Sequence, residues 1–262
     1  MKFEIKNIVV IGSGNVAWHL INAYTGAGIK VVQVLAHDEK KAARLSKAFS
    51  VPFILDATKL YKEADLYLLA VQDDQIVKTA SSLGLTGQFL VHTSGFTSLD
   101  AIAGASEATG VLWPLQTLTA GRKVDYRKIP LLIEASTKEL EENLLQFAKV
   151  ISPRVIATDS QIRQRIHLAA VIASNLANHL YTISAAILDR QGIAFDILGP
   201  LILETASKAT LNHPLKSQTG PAARRDLKVI EKHLELLRDE PDYFDIYRMI
   251  SENISHTHSS NP

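Results

Sequence analysis

Residues Ile8-Val9-Val10-Ile11-Gly12-Ser13-Gly14-Asn15-Val16-Ala17 run an apolar strand into two glycines and then into a helix. Few backbone arrangements accommodate that order. Gly12 can make the tight turn, Gly14 lets the backbone approach a pyrophosphate, and small Ala17 permits close packing of helix on strand. The amides around Ser13, Gly14, Asn15 and Val16 then face an anion, assisted by the helix dipole. A short glycine pattern is weak by itself, because such patterns recur in turns. Its context strengthens it: a buried strand before, an apolar-periodic helix after, and a second strand over Lys30 to Leu35. The stretch predicts dinucleotide binding.

Further strands are expected at about 51–55, 64–71, 88–92, 110–113, 128–134 and 153–156, with helical stretches between them. Near-continuous apolar runs such as Ala64 to Val71 suit strands covered on both faces. The expected fold is therefore α/β, a doubly wound and mostly parallel Rossmann-like sheet, followed by a smaller all-α domain with a long central helix. The expected divisions are a dinucleotide-binding domain over 1–157, a helical substrate and dimerisation domain over 158–254 and a frayed polar tail over 255–262. Helices are expected at 159–190, 194–210, 222–238 and 241–254. The first has apolar residues over most of its circumference, which requires burial, within the domain or against a second subunit.

With 262 residues, two domains fit comfortably. Cysteine is absent, which removes disulfides, thiolate metal sites and a cysteine nucleophile. A net charge of +1, from 28 basic and 27 acidic residues, gives no electrostatic case for nucleic acid or membrane partners. Met1-Lys2-Phe3-Glu4 opens no secretory signal, and no apolar run is expected to reach the roughly eighteen residues of a spanning helix. Composition points to a cytoplasmic, soluble chain with no metal site and no hydrolase elbow.

Nucleotide choice is read after the second strand, about twenty residues beyond the glycines. That position is apolar here (Val34, Leu35), with His37 and Asp38 following. His37 is a candidate cofactor contact; Asp38 can hold a ribose or cap the next helix. Lys40, Lys41 and Arg44 can meet a 2′-phosphate or form a solvated helix face. NADP is favoured, with NAD as the alternative. Ala70, Val71 and Gln72 at one strand end, and Thr93 and Ser94 after His92 at the next, lie where open α/β sheets bind ligands, with ordinary capping as the other reading.

On the long helix, His167, Ser174 and Asn178 fall on one stripe at about 100° per residue, with Asn175 beside it. Polar groups on an otherwise apolar helix need partners. His167 can donate a proton, and Ser174 and Asn175 can hold a reacting group. Thr219, Gly220 and Arg224 open another helix after a glycine-proline step and can bind a carboxylate.

Six blocks together, Gly12 to Ala17, Ala70-Val71-Gln72-Asp73-Asp74, His92-Thr93-Ser94-Gly95, Trp113-Pro114-Leu115-Gln116-Thr117, His167-Leu168-Ala169-Ala170 with Ser174-Asn175, and Thr219-Gly220-Pro221-Ala222-Ala223-Arg224, resemble a family of bacterial Rossmann-like proteins with a helical C-terminal domain of unknown function. That family is similar to the group containing pyrroline-5-carboxylate reductase, 6-phosphogluconate dehydrogenase and ketopantoate reductase. The resemblance implies NADP-linked reduction at a cleft between domains, often in dimers joined through the helical domain. The residues and the resemblance together lead to the expectation of a reductase of a small anionic carbonyl or imine compound, with Gln116 and Asn178 among the substrate contacts, and of a homodimer. Related dehydrogenases carry a lysine one turn before the asparagine; this chain has Val171. Trp113 stands where the family usually has histidine, and Arg225 where it usually has glycine. Two further readings stand beside the reductase: a nucleotide-binding regulator or scaffold without catalysis, and a ketopantoate reductase.

Overall fold

A computed structural model of the chain describes residues 4–260; the opening Met1-Lys2-Phe3 and the last two residues lie outside it. Two units divide the chain, one running to Asn175 and the other beginning at Leu176.

The first unit is built on eight strands: β1 (Asn7–Ile11), β2 (Lys30–Leu35), β3 (Phe53–Ile54), β4 (Leu66–Leu69), β5 (Leu90–His92), β6 (Thr109–Pro114), β7 (Leu131–Ala135) and β8 (Val155–Ala157). They form one sheet in the order β3-β2-β1-β4-β5-β6-β7-β8. Every pair is parallel except β6 with β7. All eight expected strands are present. The order reverses between β1 and β4, so their carboxyl ends open the crevice where such sheets bind ligands. Ile8, Val9, Val10, Leu66, Tyr67, Leu68 and Leu69 are fully enclosed because apolar clusters cover both faces.

Helices α1 (Asn15–Gly26), α2 (Glu39–Phe49), α3 (Ile76–Ser82) and α4 (Lys138–Lys149) accompany the sheet. Tyr24 of α1 stacks on Phe147 of α4, ring centroids 4.1 Å apart, which places these two helices on the same face. The short polar segments between strands supply the caps: Asp38 accepts from the Lys41 amide, so the capping reading of Asp38 holds.

Helix α5 (Ser160–Val171) falls within the first compact unit. Buried Arg163 binds α5 to the sheet through Glu134 of β7, which is why it stays with the strands. A π-helical turn, Ile172–Leu176, follows directly.

The second unit contains α6 (Ala177–Asp189), α7 (Gly199–Leu211), α8 (Pro214–Ser217), α9 (Pro221–Arg224), α10 (Leu227–Leu236) and α11 (Pro241–Ser260). The expected helix at 222–238 is two helices, because Arg225 takes a left-handed conformation at φ 57° and Asp226 caps α10 through the Val229 amide. Residues 255–260, expected to fray, continue α11, where Ser255 Oγ donates to the Ala222 carbonyl.

The run Ser160–Asp189 also departs from expectation. Its most apolar 18-residue window has mean hydropathy 1.2 and no buried share, so by length and composition alone it could cross a membrane. Leu168, Ile172 and Leu176 are more than half exposed. One chain supplies no cover for an apolar surface on all sides, which is why the expected burial is not met within it.

Candidate active site

Gly12 has φ +118°, and a Cβ there would lie 2.1 Å from the Ala70 carbonyl oxygen. No other residue fits where β1 runs into α1 beside the end of β4. Gly14 caps α1 without any side-chain acceptor, and a Cβ on it would meet nothing within 4 Å. The helix therefore presents its first amides to open space, which is the condition for holding a phosphate. That space is a cavity of about 430 Å³ lined by Ser13, Gly14, Asn15 and Val16 from the glycine turn, Ala70, Val71 and Gln72 from the end of β4, and Trp18, Lys41, Arg44 and Ala120. These residues fit a dinucleotide.

Among the candidate cofactor residues, seven line this cavity. His37 is exposed and does not. Lys41 and Arg44 take the place expected of His37, and the Arg44 guanidinium lies over the Trp18 ring at 5.0 Å. Stacking fixes a planar cation that a solvated helix face would leave free. Thr93 and Ser94 are also absent from the lining. The Thr93 hydroxyl donates to the Leu69 carbonyl, and Ser94 Oγ accepts from the amides of Phe96 and Thr97. Their polar groups build the turn after β5. His92, at that strand end, is fully buried, and burial, with Arg163 nearby, pushes its imidazole down to about 3, so it stays neutral. Its Nδ1 accepts from the Ser94 amide.

A second cavity of about 430 Å³ is lined by Trp113, Leu115, Gln116 and Thr117 from β6 and its following loop, and by His167, Ala170, Val171, Ala173, Ser174 and Asn175 from α5 and the π turn. The three candidate catalytic residues, His167, Ser174 and Asn175, thus share one cavity with Gln116. Ser174 Oγ and Thr117 Oγ1 are 3.0 Å apart. Asn178 belongs to the second unit, where it is exposed. The π turn at 172–176 is wider than an α turn, so the regular 100° spacing assumed for the stripe does not apply through it.

The His167 ring packs against Trp113 and Phe96, with centroids 5.5 and 6.0 Å away. A Cβ on Gly95 would lie 2.5 Å from His167 Cδ2 and 2.6 Å from Trp113 Cε2. Only glycine fits behind the imidazole.

One loop connects the two cavities. Thr117 meets Ser174 in one, while three residues later the Ala120 amide donates to Asn15 Oδ1 in the other. His19 Nε2 bonds the Thr119 carbonyl at 2.8 Å. Asn15, expected only as a cofactor contact, also ties this loop to α1.

Arg224, Thr219 and Gly220 belong to the second unit. Arg224 is exposed, Gly220 has φ +103° as the cap of α9, and Thr219 lines an apolar cavity with Leu180, Ile183 and Tyr247. Sequence reasoning missed Arg163, Glu134 and Gly95. Gly95 closes the His92-Thr93-Ser94-Gly95 block and so carried a positional signal, whereas Arg163, one helical turn before His167, stands among other polar residues that look the same in sequence.

Residues 7–94 match the family described as NADP oxidoreductase coenzyme F420-dependent, and residues 129–254 match a domain of unknown function, DUF2520. A Bacteroides fragilis protein, provisionally described as an NADP oxidoreductase, is 34% identical over 97% of this chain and 98% of its own, with a TM-score of 0.89. An imine reductase from Myxococcus stipitatus, solved with NADP+, is 15% identical with a TM-score of 0.62, covering 97% of this chain and 93% of its own. A 1-pyrroline-5-carboxylate reductase from Streptococcus pyogenes is 13% identical with a TM-score of 0.63, covering 95% and 98%. No curated protein matches the sequence. With a Rossmann turn over its first match and the His167 helix inside its second, the chain belongs to the NAD(P)-dependent oxidoreductase family that joins an NADP oxidoreductase-type nucleotide domain to a DUF2520 domain.

Proposed function

We propose that this chain reduces a small C=O or C=N compound in the cavity beside His167, using NADP in preference to NAD. The observation that supports this most is the loop 115–120, which lines the His167 cavity with Thr117 and the dinucleotide cavity with Ala120. A bound nicotinamide supplies hydride, and the protein's part is orientation and proton delivery. His167 gives its proton to the carbonyl oxygen or imine nitrogen as that atom gains charge, while the Asn175 amide and the Ser174 hydroxyl hold it. Lys41 and Arg44 in the dinucleotide cavity support a preference for the 2′-phosphate. The His167 cavity carries no lysine or arginine, so the reacting part of the substrate is uncharged there. An anionic group would need a cation outside this lining, and nothing in the lining singles out ketopantoate.

One observation favours a binding protein without catalysis: Val171 lines the cavity where related dehydrogenases place lysine. Turnover by His167→Ala separates the two. With NADPH and a panel of 2-oxo acids and cyclic imines, wild type should oxidise the cofactor, and the variant should lose about 10²-fold or more in kcat while binding NADPH normally. Equal turnover by both proteins, or none by a wild type that binds NADPH, overturns the reductase reading. The reading also takes a second copy of the chain as cover for the exposed apolar face of the helical unit.

A further inference from the structure

His167 makes no hydrogen bond through its ring among the described residues, so packing alone aims it. Its wall is the turn Ser94–Thr97, where Gly95 leaves room for the imidazole and Phe96 flanks it. That turn is gripped from α5. Arg163 Nη1 donates to the carbonyls of Ser94 at 3.0 Å and Thr97 at 2.8 Å, and Nη2 donates to Glu134 Oε2 at 2.9 Å and Ser160 Oγ at 3.0 Å. Gln164 Nε2 adds a bond to the Phe96 carbonyl at 2.8 Å, and Ser160 Oγ accepts from the Leu99 amide.

Arg163 is completely buried, in contact with a carboxylate that is 14% exposed. A buried ion pair is poor evidence for stability, since desolvation offsets its attraction. What a guanidinium supplies is a rigid fork that can hold carbonyls on one nitrogen and a carboxylate on the other. Residues four apart share a helix face, so Arg163 holds the turn directly beneath His167.

We propose that Arg163, oriented by Glu134, is a positioning residue for His167: it locks the Ser94–Thr97 turn against the imidazole and so aims the proton. This rests on the reading that His167 delivers the proton. Lysine cannot replace the fork, having one nitrogen where the site uses two.

The test is a double-mutant cycle on the full chain, with Arg163→Lys and Glu134→Gln each alone and combined with His167→Ala. Both single variants should lower kcat tenfold or more, leave the NADPH dissociation constant within about twofold, and cost nothing further in the His167→Ala background. Effects that multiply in the double variants overturn the proposal, as does unchanged kcat in a folded single variant. Where Arg163→Lys does not fold, Glu134→Gln, which keeps the side-chain volume, decides. If His167→Ala leaves turnover intact, the catalytic reading fails by itself, and the His167 imidazole NMR resonance in Glu134→Gln decides positioning. A shifted or broadened resonance supports the proposal; one unchanged from wild type overturns it.

Discussion

Gly12 and Gly14 stand two residues apart and are required for different reasons. At Gly12 the backbone is left-handed and the Ala70 carbonyl leaves no room for a Cβ, so the constraint belongs to the fold. At Gly14, φ is −81°, ordinary for any residue, and a Cβ would project into open space. Gly12→Ala should therefore destabilise the protein by about 3 kcal/mol or more, from strained backbone plus overlap with a neighbouring strand. Gly14→Ala should change stability by no more than about 0.5 kcal/mol and weaken NADPH binding tenfold or more, because its methyl takes the volume of the approaching phosphate. Thermal unfolding with and without NADPH separates the two. Loss of stability in Gly14→Ala, or full NADPH affinity there, would contradict the assignment. This division of labour was legible in the glycine pattern, since each role follows from spacing. Arg163 was not: on a helix whose first turns are mostly polar, Ile162 and Ile166 excepted, nothing local distinguishes a buried arginine from a solvated one.

At the scale of elements, the strands were legible because both faces are covered and their apolar runs are nearly unbroken, as in Leu66–Leu69. Helix ends were harder. The break between α9 and α10 falls at Arg225, where an ordinary side chain carries the left-handed backbone that glycine adopts freely. Helical periodicity continues through it, so the sequence reads as one helix. The family resemblance offered the clue, for glycine is usual at that position. Arg225→Gly should raise stability by up to about 1 kcal/mol, measurable as a Tm increase of a few degrees. It gives up a hydrogen bond from Arg225 to Ser259, both exposed. A lower Tm would show that the arginine contributes more through that bond than the backbone loses. The π turn at 172–176 was equally hidden, because a wider turn changes the angular register without changing composition.

On the scale of the whole molecule, the two units differ in how well one chain can bury them. The first encloses its sheet on both faces, whereas in the second the apolar residues below the 9% exposure of Ile183 are few and Leu203, Leu211 and Leu236 are each 72% exposed or more. Composition alone cannot reveal this contrast, since apolar content is the same whether a helix is covered by its own chain or by another. Exposed apolar area on this scale marks an interaction surface, and closed twofold dimers are the commonest arrangement for covering one. We expect the protein to sediment at twice the mass of the chain. Paired substitution of Leu176 and Leu203 by glutamate should then yield the single-chain mass, because charge on both helices opposes desolvation of the shared face. The Gly12 turn, remote from these residues in sequence, should still bind NADPH in the variant if the first unit folds from its own core. A wild-type protein that sediments as one chain across micromolar concentrations would mean that the helical unit covers its apolar surface by some other route, and the homodimer would have to be abandoned.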